Sequence, residues 1–368
     1  MKVLHINSYY STSSFYKNMY DKQKEQGLDI DVFVPVAKGF EINRNLGDYT
    51  IISENHKKYD RYIFHLKQKK ILKDIQFKYD VTNYSILHAH SLFTNGYIAF
   101  KLFKKYRTPY VVAVRNTDVN LFFKKMIHLR KLGIKILKHA HKIIFISPPY
   151  KEKVLSQFIP KSLKDEIENK THIIPNGVDD FWLKNKNNPK TKSENDIKIL
   201  HVGDVNNNKN VLSTAKAVEK LIDNGYECEF TVVGKVMDHN VYKNLIKHRF
   251  IKYLPPVSRK IELLEIYRAN DILVVPSFKE TFGIVYPEAM SQGLPVIYSK
   301  GQGFDGHFSD GEVGKKVTSN DEKEIASKIK DILSVYKQIS ETCLVNSERF
   351  KWKTISNEYN KIYDEVIK

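Results

Sequence analysis

The chain has 368 residues, of which 42% are hydrophobic and 28% charged, and its net charge is +18. This length suits two domains of ordinary size with packed cores. Without a run of eighteen apolar residues no transmembrane helix is expected, and Cys228 and Cys343 are too few for a disulfide framework or a cysteine-based zinc site.

The positive charge is concentrated in the first half of the chain. Residues 1–177 contain 31 Lys and Arg against 15 Asp and Glu, whereas residues 178–368 contain 29 against 27. This asymmetry suggests a polyanionic partner, either nucleic acid or an anionic membrane surface. A lysine-rich composition that only keeps the protein in solution explains the charge equally well. The start, MKVLHINSYY, becomes polar too early for a signal peptide, so we expect a protein of the reduced cytoplasm.

Strands and helices alternate along the first half. The predicted strands are Val3–Asn7, Ile30–Pro35, Ile86–His90, Tyr110–Val114, Ile143–Ser147 and His172–Pro175. The predicted helices are Phe15–Gln26, Tyr62–Phe77, Gly96–Lys105, Phe122–His139 and Tyr150–Gln157. This alternation predicts an α/β fold with a doubly wound parallel sheet.

Two patterns in the first half invite a metal-site hypothesis. Asp29 and Asp31 alternate with apolar residues at the start of a strand, which predicts a strand edge and no metal site. His88 and His90 end another strand, but the sequence shows no third ligand beside them. We expect structural or substrate-contacting roles for both histidines, and we predict that no metal is required.

The segment Leu121–Lys142 contains seven Lys and Arg and no acidic residue, with apolar residues at helical spacing. It predicts a basic amphipathic helix over 121–142. Such a helix either buries its apolar stripe in the domain core with its lysines in water, or lies on anionic lipid. On lipid, each basic residue contributes about 1 kcal/mol. We favour peripheral contact with an anionic membrane surface.

The second half restarts the alternation after a polar segment, Lys184–Asp196, which we interpret as an interdomain linker. Predicted strands follow at Ile197–Gly203, Phe230–Gly234 and Ile251–Leu254. The chain ends in a predicted helix, Trp352–Ile367, with six apolar residues at helical spacing.

The most informative stretch is Val274–Ile297, VVPSFKETFGIVYPEAMSQGLPVI. It predicts a strand ending at Pro276, a polar loop, a helix beginning near Pro287 and a turn at Gly293. Proline in the first helical turn and glycine after the last are typical helix boundaries. The start of a helix that follows a strand presents unpaired backbone amides to an anion such as phosphate.

Two carboxylates, Glu280 and Glu288, flank these amides with seven residues between them. A nucleotide sugar has hydroxyl-rich rings on either side of its diphosphate, so a carboxylate at each end can accept charge-assisted hydrogen bonds. The simpler alternative is a solvated loop residue at 280 and a glutamate at 288 that favours the helix dipole. The strand, loop, glycine and helix around the pair favour the ligand-binding interpretation.

The stretch S-F-K-E-T-F-G-I-V-Y-P-E-A-M-S-Q-G-L-P-V-I resembles the Glu-x7-Glu signature of the family 4 retaining glycosyltransferases, the glycosyl transferases group 1. The segment Ile173–Asp179 resembles the family's I-P-N-G-V-D. The resemblance implies a GT-B fold, with two Rossmann-like, doubly wound parallel-sheet domains facing a central cleft. It implies an acceptor-binding domain at 1–177 and a nucleotide-sugar-binding domain at 178–350. A helix at about 351–368 is expected to pack on the first domain, and the alternative is a dimerisation helix.

The resemblance also assigns residues on the donor side. Asp204–Asn210 is similar to V-G-R-x-x-x-x-K-G, whose cations hold the diphosphate; Lys209 matches in register, whereas Asp204 stands at the arginine position. Glu280 is expected to orient the sugar and Glu288 to hold the ribose. The candidates to supply the missing positive charge are Arg115, Lys235 and Arg259. Backbone contacts to the diphosphate and the nucleobase are expected from Phe282, Gly283, Ile284, Val285, Gly234 and Leu254.

On the acceptor side, Val114–Asp118 resembles the family's T-x-H-G-x-D strand end. Asn116 stands where many members have histidine; its amide donates a hydrogen bond but cannot shuttle a proton at neutral pH. Asp118 either contacts hydroxyl groups of the acceptor or sugar, or caps the next helix. The polar loop Ser8–Ser14 lacks the paired glycines that family members often have there.

The resemblance implies a retaining, metal-independent glycosyltransferase of the hexosyltransferase type. It is expected to move a sugar from a UDP- or GDP-linked donor to a glycan or lipid-linked acceptor, in bacterial surface polysaccharide synthesis. No cofactor beyond the donor substrate is expected, and the expected location is the cytoplasm with peripheral contact at the inner face of the cell membrane. The alternatives are a nucleotide-sugar epimerase of related fold and a basic nucleic-acid-binding protein, although no nucleic-acid recognition motif is present.

Overall fold

The structure is a computed structural model that describes residues 1–13, 15–192 and 195–368. The chain divides into two compact units. The first comprises Met1–Ile146, Tyr150–Pro175 and Trp352–Lys368, and the second comprises Ser147–Pro149 and Asn176–Lys351. Ser14 of the predicted loop, and Ser193 and Glu194 of the predicted linker, lie outside the described residues.

The first unit is built on a parallel sheet of seven strands. These are β1 Lys2–Ile6, β2 Asp29–Ala37, β3 Thr50–His56, β4 Ile86–Ala89, β5 Tyr110–Val114, β6 Lys142–Phe145 and β7 Thr171–Ile173. Their order in the sheet is β3-β2-β1-β4-β5-β6-β7. Every residue of β4 and β5 is buried, as expected for parallel strands whose two faces are both covered.

Helices connect these strands. They are α1 Phe15–Glu25, α2 Phe64–Lys78, α3 Thr94–Tyr106, α4 Arg130–His139, α5 Pro148–Gln157 and α6 Lys161–Glu168. Short 3-10 turns occur at Ser8–Ser11, Lys58–Tyr62 and Val81–Asn83. The β3 strand and the α6 helix are absent from the sequence-based prediction.

The continuous basic helix predicted over 121–142 is wrong. The chain forms a π-helical turn at Asp118–Phe123 and a 3-10 turn at Ile127–Leu129 before α4 begins. Phe122 and its neighbour Phe123 are both buried in the core. Adjacent side chains of a regular α-helix point about 100° apart, so the wider π turn allows both rings to face inward. The basic residues of this region are therefore divided among several short elements.

The second unit contains a parallel sheet of six strands. These are β8 Asp196–Val202, β9 Glu227–Val233, β10 Ile251–Leu254, β11 Ile272–Val275, β12 Val296–Ser299 and β13 Gly314–Val317, in the order β10-β9-β8-β11-β12-β13. Its helices are α7 Asp180–Lys184, α8 Val211–Asp223, α9 His239–Leu245, α10 Lys260–Ala269, α11 Val285–Ser291, α12 Glu322–Leu333 and α13 Tyr336–Asn346. Both sheets reverse their strand order beside the first strand of the unit, which is the doubly wound arrangement.

The last helix, α14 Trp352–Ile367, belongs to the first unit. Trp352, Ile355, Tyr359 and Tyr363 lie in the same core cluster as residues of α1 and β1. Trp352 makes an edge-to-face contact with Phe15 of α1, with ring centroids 4.7 Å apart. The apolar spacing seen in the sequence thus corresponds to the buried face of this helix. Among the described helices, none combines the length and apolar character needed to cross a bilayer.

Candidate functional site

Two loops of the second unit meet where its sheet reverses strand order, between β8 and β11. The first loop follows β8 and the second follows β11. The side chain of Asn208 donates to the carbonyl of Lys279 at 3.0 Å, and the carbonyl of Asn208 accepts from the amide of Phe278 at 2.9 Å. Open α/β sheets bind ligands at this reversal point. The joined loops therefore form the candidate site.

Lys209 and Glu280 contact each other at this point. The Nζ of Lys209 lies 2.6 Å from the Oε2 of Glu280, and their side chains are 23% and 12% exposed. The amide of Thr281 donates to the other carboxylate oxygen of Glu280 at 3.1 Å. The loop before α8 is held by a bond from the amide of Lys209 to Asn206 Oδ1 at 2.9 Å. Partial burial and these hydrogen bonds hold both charged groups at the carboxyl edge of the sheet.

Gln302 is a supporting residue that the sequence analysis did not identify. Its Oε1 accepts from the amide of Glu280 at 3.1 Å, and the next residue, Gly303, donates its amide to the carbonyl of Glu280 at 3.0 Å. Ser277 adds a hydroxyl 3.4 Å from Glu280 Oε2. The loop after β12 thus holds the backbone of Glu280 in place. The only sequence signal for it was the pair of glycines at 301 and 303.

The predicted diphosphate-binding residues run from the loop into α11. Within the described part of the chain, no hydrogen-bond acceptor is recorded for the backbone amides of Phe282, Gly283 and Ile284. Val285 begins the seven-residue helix α11. Unpaired amides that precede a helix can receive an anion. Only Thr281 separates them from Glu280, so these amides and the carboxylate lie in one loop.

Glu288 lies on α11 and contacts Tyr267. The hydroxyl of Tyr267 donates to Glu288 Oε2 at 3.0 Å, and Trp182 packs edge-on against the tyrosine ring with centroids 5.4 Å apart. Burial raises the pKa of Glu288 to about 7. Near neutral pH this carboxyl group therefore exists in both protonation states.

Gly234 comes directly after β9, and Leu254 is the last residue of the neighbouring strand β10. The amide of Gly234 donates to the carbonyl of Leu254 at 3.2 Å, and the Gly234 carbonyl accepts from the hydroxyl of Tyr253 at 2.9 Å. Gly203, at the end of β8, donates its amide to Val233 at 2.9 Å. The structure therefore aligns these positions along the same carboxyl edge of the sheet as Lys209.

The cations considered as replacements for the missing arginine have separate surroundings. Arg259 forms an ion pair with Glu262, with nitrogen and oxygen 2.8 Å apart and both side chains exposed. Lys235 and Asp204 are exposed. Of Lys209, Lys235 and Arg259 in the second unit, Lys209 contacts a carboxylate of the predicted site, that of Glu280.

Arg115 and Asn116 belong to the first unit and follow β5. Arg115 is buried, and its Nε donates to the carbonyl of His90 at 3.4 Å. The side-chain nitrogen Nδ2 of Asn120 donates to Asn116 Oδ1 at 2.6 Å. The structure therefore groups these residues with the ends of β4 and β5.

Asp118 has a defined structural role. Its buried carboxylate accepts the amides of Leu92, Phe93 and Arg115 at 2.9, 3.1 and 2.9 Å. Burial raises the pKa of Asp118 to about 6, opposed by these three hydrogen bonds. None of these three donors belongs to the helix that follows Asp118, so the structure does not show the predicted helix cap; the carboxylate instead ties the turns after β4 and β5 together.

The histidine pair has a third partner that the sequence analysis missed. His5 is the register partner of His88, because β1 and β4 are adjacent parallel strands. The side-chain nitrogens of His5, His88 and His90 lie within 4.8 Å of one another, and all three residues are buried. The expectation that no third ligand-type residue stands beside His88 and His90 is therefore wrong.

Hydrogen bonds and ring stacking link this cluster. His5 Nδ1 lies 3.0 Å from His90 Nε2, and His88 Nδ1 lies 2.6 Å from the hydroxyl of Tyr363. The rings of His88 and His90 stack with centroids 4.0 Å apart. Burial lowers the pKa of His5 to about 3, so its imidazole is neutral at pH 7. We interpret the cluster as a polar part of the core that joins β1, β4 and α14.

Comparisons with known proteins agree with this architecture. The family model described as Glycosyltransferase Family 4 matches residues 13–180, and the one described as Glycosyl transferases group 1 matches residues 184–342. An uncharacterized glycosyltransferase of Methanocaldococcus jannaschii is 25% identical over 289 residues, which cover 76% of this chain and 75% of that protein. The D-inositol 3-phosphate glycosyltransferase of Corynebacterium aurimucosum is 29% identical over 132 residues, or 35% of this chain and 31% of that protein.

Among solved structures, Anabaena HepE in complex with UDP superimposes with a TM-score of 0.72 at 15% identity. The match covers 99% of this chain and 100% of that one, and the same protein is also known in complex with UDP-glucose. At this level of identity the comparison concerns the fold alone. The GT-B fold expected from the sequence is confirmed.

Proposed function

The chain belongs to the group 1 glycosyl transferases of family 4, and from this premise we propose that it is a retaining, metal-independent enzyme. It transfers glycosyl groups. The proposed donor is a nucleotide-diphosphate sugar bound by the second unit, and the proposed acceptor is a glycan or lipid-linked glycan bound by the first. The observation that carries this proposal is the contact of Lys209 with Glu280 beside the unpaired amides of residues 282–284.

The proposed chemistry is substitution on one face of the sugar. The bond from the anomeric carbon to the diphosphate oxygen breaks, and a bond to the acceptor oxygen forms on the same face. The acceptor proton passes to the departing phosphate oxygen. Because negative charge grows on the diphosphate, a preorganised ammonium group at Lys209 and nearby amides stabilise the transition state. These groups supply positive charge to the leaving group without a metal ion.

The proposed role of Glu280 follows from its partners. Its carboxylate is held by Lys209 and by the amide of Thr281, at 2.6 and 3.1 Å. In this position it can accept hydrogen bonds from sugar hydroxyls and favour positive charge developing at the anomeric carbon. Asn116 and Arg115 are proposed to contribute hydrogen bonding and positive charge from the first unit.

The proposed donor is linked to UDP or GDP. HepE, which has the same fold, is known with UDP and UDP-glucose, and this supports a nucleotide-sugar donor. The proposed nucleobase contacts at Gly234 and Leu254 use their carbonyl oxygens, each of which accepts one bond in the structure and can accept a second. Backbone contacts of this kind do not by themselves separate uracil from guanine.

Peripheral membrane contact is proposed for the region that follows β5. Leu121 and Ile127 are 42% and 63% exposed, and the intervening and following lysines Lys124, Lys125 and Lys131 are exposed as well. Exposed apolar residues among lysines favour an anionic lipid surface. This supports a lipid-linked acceptor in bacterial surface polysaccharide synthesis, with the protein at the inner face of the cell membrane.

An acceptor-dependence assay tests the proposed function. The purified protein is incubated with a panel of UDP-, GDP- and ADP-sugars, with and without bacterial membranes, in the presence of EDTA. We expect nucleotide release from one donor only when membranes are added, with retention of the anomeric configuration in the product. Donor conversion without membranes would indicate an epimerase. Salt-sensitive RNA binding without turnover would indicate a nucleic-acid-binding protein.

The pKa of Glu288 predicts a pH dependence of donor binding. Because this pKa is raised to about 7, the ribose-binding carboxylate becomes protonated as the pH falls below 7. The protonated form loses charge-assisted acceptance from ribose hydroxyls. We expect the KM for the donor to rise about tenfold for each pH unit below this pKa, measured by initial rates between pH 5.5 and 8. In a Glu288→Gln variant the KM is expected to be high and independent of pH, and a pH profile like that of the native enzyme would contradict the assignment.

A further inference from the structure

Asn210 stands where the pattern V-G-R-x-x-x-x-K-G has its last glycine. It lies between Lys209 and the start of α8, and its backbone is in the left-handed region with φ of +56° and ψ of +37°. Among the described residues other than glycine, Arg107 is the other one with a left-handed φ. Asparagine enters this region more easily than most residues that have a side chain. The chain therefore keeps a glycine-like backbone at this position and adds a carboxamide.

The carboxamide of Asn210 is buried, and it is hydrogen-bonded through both its nitrogen and its oxygen. Its Nδ2 donates to the carbonyl of Pro276 at 3.1 Å and to the carbonyl of Ser319. Its Oδ1 accepts from the hydroxyl of Ser213 at 2.8 Å. Pro276 follows β11 and Ser319 follows β13. One side chain therefore connects the loop after β8 with the loops after β11 and β13.

Further hydrogen bonds extend from these loops to Glu280. The hydroxyl of Ser319 donates to the carbonyl of Ser277 at 3.3 Å, and the hydroxyl of Ser277 lies 3.4 Å from Glu280 Oε2. The carbonyl just before Ser277, that of Pro276, is the one that accepts from Asn210. The chain that leads into Glu280 is therefore held by the same group of bonds that holds the residue after Lys209.

The position of Lys209 has unusual weight in this chain. Asp204 stands at the arginine position of the pattern, so Lys209 is the one cation in the sequence from 204 to 210. A lysine ammonium is a point charge on a flexible stem, and its location depends on the backbone that carries it. Since no second cation of this loop can compensate, a small displacement of Lys209 directly weakens the proposed stabilisation of the diphosphate.

We propose that Asn210 is a positioning residue, whose buried carboxamide joins three loops and thereby fixes Lys209 opposite Glu280. The inference rests on the proposed function, because it identifies what holds the cation of the proposed donor site. The left-handed backbone turns the chain into α8 directly after Lys209, and the side-chain bonds fasten this turn to the carboxyl edge of the sheet. An ammonium group held in this way stabilises a developing anion without reorganisation during the reaction.

Asn210→Gly tests the role of the carboxamide. Glycine adopts the left-handed backbone without steric cost, so the substitution removes the three side-chain hydrogen bonds and keeps the turn. With the identified donor and acceptor, we expect kcat to fall about tenfold, because a loosely held group stabilises the transition state less well. The KM for the donor is expected to change less than about threefold, since the loss falls mainly on the transition state.

Two further variants control this result. Arg107→Gly makes the same backbone change at the other left-handed residue, an exposed position at the end of α3 in the first unit, and we expect kcat to change less than about twofold. Ser213→Ala removes one partner of the carboxamide without altering the backbone of Asn210, and an intermediate loss of about threefold is expected. Equal kcat values for Asn210→Gly and Arg107→Gly would overturn the proposal, and thermal melts show that each variant is folded.

A double-mutant cycle with Lys209→Ala shows whether Asn210 acts through Lys209. In the Lys209→Ala background we expect Asn210→Gly to lower kcat less than about twofold, because the group that it positions is absent. A tenfold loss in both backgrounds would mean a general structural role for Asn210 and would contradict its assignment as a positioning residue.

Hydrogen exchange followed by mass spectrometry separates this inference from the proposed function, because it requires no turnover. The amides of Lys209 and Phe278 are hydrogen-bonded within the joined loops, so their exchange reports the opening of these loops. In Asn210→Gly we expect exchange over residues 204–210 and 276–282 to become at least about tenfold faster than in the native protein. Arg107→Gly is expected to leave it unchanged.

The two readouts fail separately. Unchanged exchange in Asn210→Gly would reject the inference even if the native protein transfers sugar from a nucleotide donor. Faster exchange in a protein that neither binds UDP or GDP nor turns over any nucleotide sugar would reject the proposed donor site, and Asn210 would remain as the residue that joins the loops.

Discussion

Replacing Lys209 with alanine is expected to lower kcat/KM for the donor about 10²- to 10³-fold, the loss seen when one preorganised group that stabilises a developing anion is removed. The ammonium group lies 2.6 Å from Glu280 in a partly shielded site, where its charge is less screened than on the surface. Its removal leaves both the leaving diphosphate and Glu280 without a cation. Steady-state rates of nucleotide release, with the identified donor and acceptor, measure this effect.

A neighbouring lysine provides the control for this result. Lys279 precedes Glu280 in the same loop and is exposed, so Lys279→Ala removes an equal charge without touching the ion pair. We expect kcat/KM to change less than about twofold, as for an exposed charge screened by water. Glu280→Gln is expected to lower kcat about 10²-fold with little effect on nucleotide binding. Similar rates in the Lys209→Ala and Lys279→Ala variants would contradict the role of Lys209.

Replacing Gly303 with alanine is expected to abolish most turnover although the residue bears no side chain. A Cβ atom at this position would lie 2.1 Å from the carbonyl oxygen of Thr281 and 2.6 Å from the amide nitrogen of Phe282. Both contacts are with backbone, so relief requires movement of the loop that carries Glu280. A displacement of about 1 Å at a reacting centre costs about 10²-fold in rate, and we expect a loss of this size in kcat.

Gly301 is the matched control for this substitution. It lies in the same loop with φ of +72°, and a Cβ atom there would have no neighbour within 4 Å. Gly301→Ala is therefore expected to cost about 1 kcal/mol of stability through backbone strain and to keep its turnover. Thermal melts distinguish loss of fold from loss of activity. Equal kcat values for the two variants would show that close packing at Gly303 does not position the site.

Elements of the fold that are rich in apolar residues were predictable from the sequence, and exposed ones were not. The strand at Tyr110–Val114 and the helix at Trp352–Ile367 have the predicted bounds because each has a strong apolar pattern. β3 was missed because it lies at the edge of the sheet, where Ile51 and Ile52 are exposed. An edge strand has a neighbouring strand on one side only, so its sequence shows a weaker apolar pattern than a central strand. The break within 121–142 was missed because it depends on tertiary packing of two adjacent phenylalanines.

At the site, too, contacts between residues distant in the sequence were not predictable. The spacing of Glu280 and Glu288 was visible in the sequence, but the contact between Glu280 and Lys209 joins residues 71 positions apart. The resemblance placed both residues at the donor site but predicted no contact between them, and the structure explains the contact by the reversal of strand order between β8 and β11. His5 was missed for a related reason, because it becomes a neighbour of His88 only when β1 pairs with β4.

The donor site can be observed in a crystal structure with an unhydrolysed donor, for example UDP-glucose. We expect the diphosphate within hydrogen-bonding distance of Lys209 Nζ and of the amides of residues 282–284. We also expect a ribose hydroxyl to donate to Glu288 and a sugar hydroxyl to donate to Glu280. A nucleotide bound elsewhere, or a diphosphate without contact to Lys209, would contradict the proposed donor site.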